Sequence, residues 1–119
     1  MSGSWNAAFR IYLLLVALAN VVGIAGLAFN YDGLAAAFPG LNLAFAAVLI
    51  VMGIASLFAI VLIWLWKVSG LVILGFTYLV ILLINLAFEA PMAITLSVPL
   101  AYLVLLALVW PNRERFRTN

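Results

Sequence analysis

Long apolar runs, each closed by a single charge or a turn, set the pattern of this chain. Residues 11–31, 33–66, 68–88 and 90–112 carry no charged side chain. Within them Leu, Ile, Val, Ala and Phe follow one another without the strict alternation of a half-buried strand, so helices are expected. Each run is long enough to cross a bilayer, since a helix needs about 20 residues to traverse roughly 30 Å of hydrocarbon. Inside that layer the backbone must satisfy its own polar groups, which leaves only helices or a closed barrel. A barrel needs alternating strands, and these runs do not alternate. The pattern therefore predicts an all-α integral membrane protein, a single-domain antiparallel up-down bundle of four transmembrane helices. The spans are expected at residues 9–29, 42–66, 68–88 and 91–110, followed by a polar tail over 111–119.

The breaks between spans carry turn chemistry. Asn30, Tyr31, Asp32 and Gly33 end the first helix, and residues 34–38 can form one interfacial turn before Pro39 and Gly40 break it. Asn42 is an expected N-cap for the second span. Trp64, Leu65, Trp66 and Lys67 fold the second span back onto the third, making a hairpin around which the other two spans are laid. Pro91 is expected at the first position of the fourth helix, where its missing N–H costs nothing. Pro111 and Asn112 are expected to stop that helix. Arg10 before an apolar run with Ala17 and Ala19 imitates a signal peptide, but the run continues well past Ala19, unlike an h-region.

Composition supports the same class. Of 119 residues, 71% are hydrophobic and 7% charged, whereas ordinary globular chains are about half apolar and about a quarter charged. The charges also orient the chain. With the N-terminus inside, Arg10, Lys67, Arg113, Arg115 and Arg117 all lie on the cytoplasmic side, as the positive-inside rule requires, and Asp32 and Glu89 lie outside. Trp5, Trp64, Trp66 and Trp110 fall on the same inner side, where indole rings anchor at headgroups. The expected location is a plasma membrane of the bacterial inner-membrane type, with both termini cytoplasmic. Arg113, Arg115 and Arg117 are candidates for contact with anionic lipid. They are too few for a nucleic-acid partner.

Chemistry is sparse. The chain has no cysteine and no histidine, so thiol chemistry, histidine-ligated haem, iron–sulfur clusters and the usual zinc sites are not available to it. No Ser/His/Asp or Cys/His set can form, and no glycine-rich phosphate loop is present, so no enzyme, cofactor or metal site is expected. Small and polar residues instead line one stripe of each span at spacings of three, four and seven: Asn20, Gly23, Gly26 and Asn30; then Ala46, Gly53 and Ser56. The third span offers Gly70, Thr77, Tyr78 and Asn85, and the fourth Thr95, Pro99 and Tyr102.

Asn20, Ser56, Tyr78 and Tyr102 fall near mid-depth and are expected to form a polar layer, whose ordinary role is to hydrogen-bond helices together. Pro99 should release the carbonyl of Thr95. Asn85, Glu89 and Thr95 form a candidate polar site on the outer side. Glu89 reads there as an interfacial cap beside a helix N-terminus. Two functions follow. The first is a non-catalytic accessory or structural subunit that acts through intramembrane helix contacts, as a homo- or hetero-oligomer. The alternative is a small homo-oligomeric transporter or channel with a polar path lined by Asn20, Asn85 and Glu89.

Overall fold

The computed structural model describes residues 2–116, with side chains from residue 6 onward. Five α-helices follow one another: α1 (Ser2–Phe29), α2 (Tyr31–Ala37), α3 (Leu43–Trp64), α4 (Val68–Ala87) and α5 (Met92–Val109). A 3-10 helix, Trp110–Arg115, completes them. The four long helices, α1, α3, α4 and α5, are each long and apolar enough to cross a membrane. Leu18, Val22, Phe58, Phe76 and Leu103 are exposed on their outer faces. Ser56, Thr77, Asn85 and Thr95 are buried between them. Polar inside and apolar outside is the distribution a hydrocarbon surround favours.

Glycine sets the spacing of the α3/α4 hairpin. A Cβ on Gly70 would stand 2.7 Å from both the Ala59 carbonyl oxygen and the Ile63 backbone nitrogen, so α4 meets the backbone of α3 there, as small residues allow. A Cβ on Gly53 of α3 would meet Ile24 of α1 at 2.8 Å, and one on Gly75 of α4 would meet the Tyr102 hydroxyl of α5 at 2.9 Å. The long helices thus pack in the ring α1, α3, α4, α5, and α5 returns to α1. At that last seam the Tyr12 hydroxyl donates to the Ala101 carbonyl at 2.7 Å.

Two apolar clusters close the ends. Phe9, Leu13, Ile60, Ile63, Leu74 and Leu105 form the larger. At its rim Phe9 stacks on Trp66 with centroids 5.0 Å apart, and Phe116 meets both rings edge-on. The start of α1 and the end of the described chain therefore lie at the same end of the bundle as the α3/α4 turn. Leu41, Ala46 and Phe88, with Tyr31 and Leu34 of α2 against them, close the opposite end.

The helix ends differ from sequence expectation at Asn30, Pro91 and Pro111. Asn30 alone interrupts the chain after α1, and the expected turn at 30–33 is instead taken into α2, because Leu34 and Phe38 N–H groups find helical acceptors at Asn30 and Leu34. Pro91 is the residue preceding α5 rather than its first, since its ψ of 143° is extended. Pro111 ends α-type bonding but not helical winding, and the chain tightens into the 3-10 turn. Helices α3 and α4 both end in paired reverse bonds. Lys67 N–H reaches Leu62 O at 3.0 Å and Trp66 N–H reaches Ile63 O at 2.9 Å; Ala90 reaches Asn85 at 2.9 Å and Glu89 reaches Leu86 at 3.3 Å. This is the Schellman arrangement, whose pivot takes a left-handed backbone and is usually glycine. Here the pivots are Trp66, with φ 63°, and Glu89, with φ 57°. The Asn42 cap is as expected: its Oδ1 accepts from the Phe45 N–H at 2.9 Å.

Candidate functional site

The seam between α1 and α5 is closed at one end and open at the other. Tyr12 pins it near the Phe9 cluster. Beyond that bond the helices leave a cleft of about 290 Å³. Val16, Ala19, Asn20, Gly23, Ile24 and Leu27 form its α1 wall, and their spacing of three and four keeps them on one helical face. Leu49 and Gly53 of α3 and Tyr78 and Ile81 of α4 make the floor, and Ser97, Val98 and Ala101 of α5 make the far wall. No charged side chain lines it. A Cβ on Gly23 would meet no atom within 4 Å, so this glycine leaves room that its own bundle does not fill.

The four residues expected at mid-depth separate into two groups. Asn20 and Tyr78 share the cleft, where the Asn20 amide donates to Val16 O of its own helix at 2.9 Å. Tyr78 and Tyr102 meet edge-on with centroids 6.1 Å apart, and the Tyr102 hydroxyl donates across to Leu71 O at 2.7 Å. Ser56 stands apart from the other three. It is fully buried between α3 and α4, and its Oγ lies 3.2 Å from the hydroxyl of Thr77, which also donates to Leu74 O.

Of the outer-side residues, Asn85 and Thr95 are buried and converge on Ala90: the Asn85 carbonyl accepts from its N–H, and the Thr95 hydroxyl donates to its carbonyl at 3.4 Å. Glu89 is exposed at the left-handed pivot between them. Helix α5 runs through Pro99, which lines a smaller cavity with Gly75, Tyr78 and Tyr102.

Arg113 lies 4.1 Å over the Trp110 ring and donates to Trp110 O. Arg115 lies 5.3 Å from the Trp66 centroid and donates to Asn6 Oδ1 at 3.4 Å. Arg117 and the side chain of Trp5 lie outside the described residues.

Sequence reasoning passed over Tyr12, Thr77 as the partner of Ser56, and Ser97. Tyr12 was legible as a hydroxyl inside an apolar run. The Ser56–Thr77 pair depends on how α3 and α4 are rotated against each other, which neither helix encodes alone. Among the described residues no group of three or more acidic, His or Cys side chains could hold a metal ion. Compared with family models, curated proteins and solved structures, the chain matches none.

Proposed function

We propose that this is a non-catalytic integral membrane protein crossing a bacterial inner-membrane type of bilayer four times, with both termini in the cytoplasm. It acts as an accessory or structural subunit by receiving a transmembrane helix, from a second copy or from another protein, in the cleft between α1 and α5. The observation that carries this reading is the unfilled wall at Gly23, Ala19 and Ala101. Small residues admit another helix at close range, while Asn20, Tyr78 and Ser97 offer it hydrogen bonds worth about 0.6 kcal/mol each. The alternative, a transport path, calls for Asn20, Asn85 and Glu89 to share one channel. Asn20 lines the cleft; Asn85 is buried in the last turn of α4 and Glu89 is exposed. The cleft lining therefore lacks the carboxylate that coupling a proton or cation would use.

Native mass spectrometry of the detergent-purified protein tests the reading. The wild type should carry a second copy or a stoichiometric membrane partner. Gly23→Phe, whose Cβ would meet no atom of the chain within 4 Å, puts a ring into the open wall and should release that partner. A wild-type monomer without any partner would overturn the proposal.

A further inference from the structure

At the Trp66 end of the bundle, cations converge without carboxylates to match them. Arg10, Lys67, Arg113 and Arg115 lie at this end among the described residues, against Glu114 alone. The other two acids, Asp32 in α2 and Glu89 after α4, belong to the opposite end. The Arg10 guanidinium lies 4.1 Å from the Trp64 ring centroid and 5.0 Å from that of Trp66, and spends one N–H on the Trp64 carbonyl at 2.9 Å. Arg115 approaches the same Trp66 ring at 5.3 Å. A guanidinium has five N–H donors in a fork suited to phosphate oxygens, so one bond to a carbonyl leaves most of Arg10's donors open. Stacking on indole fixes the guanidinium plane at little cost in mobility.

Directly below Arg10 the surface changes character. Between α1 and α3 runs an apolar groove of about 250 Å³, lined by Leu13, Leu14, Ala17, Ile60, Val61 and Trp64. Trp64 belongs to both features: its ring carries Arg10, and it is one of the residues that line the groove. A cationic fork at the rim of an apolar channel has the two halves of one amphiphile as its complement.

We infer that this site holds one anionic phospholipid, its phosphate on Arg10 with Arg115 beside it, and one acyl chain laid in the α1/α3 groove. The inference rests on the chain lying in a bilayer and is independent of what fills the α1/α5 cleft. A soluble phosphate would use the guanidiniums and have no use for the groove. A neutral lipid would use the groove and gain less from the cations, since each basic side chain near a membrane surface favours anionic lipid by about fivefold.

The experiment offers delipidated protein an equal mixture of phosphatidylglycerol and phosphatidylcholine and counts retained lipids by native mass spectrometry. The wild type should keep one phosphatidylglycerol in clear preference. Arg10→Gln should reduce that preference about fivefold, and by more than Arg113→Gln, whose guanidinium sits on the separate Trp110 ring. Ala17→Leu narrows the groove and should lower retention without changing headgroup preference. A millimolar excess of glycerol phosphate should not displace the lipid. Equal retention of the two lipids by the wild type would overturn the inference, as would full displacement by glycerol phosphate, which would mark a simple anion site. Should Ala17→Leu fail to fold, the Arg10→Gln and glycerol phosphate arms still decide. Lipid selectivity without any helix partner in the same spectra would separate this inference from the cleft proposal.

Discussion

The same substitution, glycine to alanine, should have opposite signs at two positions of this bundle. At Gly70 the added Cβ would lie 2.7 Å from the Ala59 oxygen and the Ile63 nitrogen and 2.8 Å from Ile63 Cγ1. Two of those three atoms are backbone of α3 and cannot turn aside, so α3 and α4 must separate. Overpacking of this kind costs about 1 to 3 kcal/mol. Against it stands the better helix propensity of alanine, about 0.8 to 1 kcal/mol. Gly70→Ala should therefore be destabilising, by up to about 2 kcal/mol. At Gly23 the new methyl meets nothing within 4 Å, only the propensity gain remains, and Gly23→Ala should stabilise by up to about 1 kcal/mol. Unfolding in mixed micelles by stepwise addition of a denaturing detergent, followed by tryptophan fluorescence, gives both differences in one assay. Equal stability of the two variants, or a more stable Gly70→Ala, would refute the close crossing of α3 and α4 on which the fold depends.

Other substitutions probe the helix ends and the buried hydroxyls. Asn42→Ala removes the side-chain acceptor of the Phe45 N–H and should cost about 1 kcal/mol in the same assay, whereas Asn42→Asp should restore most of it. Glu89→Gly relieves a left-handed pivot on an exposed residue and should stabilise by about 1 kcal/mol. Trp66→Gly relieves the same backbone but loses the stack on Phe9 and two arginine contacts, so its unfolding midpoint should fall. Ser56→Ala leaves Thr77 bonded to Leu74 O, and the loss should stay near 0.6 kcal/mol.

The four long helices were legible because long apolar runs without strand-like alternation, broken only by turn residues, leave little choice but helix. The Asn42 cap was legible for a local reason: the capping oxygen and the N–H that donates to it are three residues apart in sequence. The Schellman ends were not, because their usual signal is glycine and the chain places Trp66 and Glu89 there. Trp66 has a tertiary reason for its place, since Phe9, Arg10 and Phe116 all meet its ring. Of the polar stripes, Ser56, Thr77, Asn85 and Thr95 are buried, whereas Gly23 and Asn30 of the first span are exposed. Which stripe residue meets which was beyond a one-dimensional reading. Ser56 finds Thr77, and Tyr102 reaches a backbone carbonyl, because helix rotation is settled by packing at Gly53, Gly70 and Gly75. The α1/α5 cleft was hidden for the same reason: it exists only once Tyr12 fixes the angle between two helices distant in sequence.

The chain's lack of cysteine makes topology directly measurable, because any cysteine introduced is the only one. Asp32→Cys and Glu114→Cys, each expressed alone in intact bacterial cells, are treated with a membrane-impermeant maleimide before and after lysis. Four crossings with both termini inside predict that the cysteine at position 32 labels in intact cells and the one at 114 only after lysis. Labelling of both from the same side, or release of the protein from membranes by alkaline carbonate, would contradict the account.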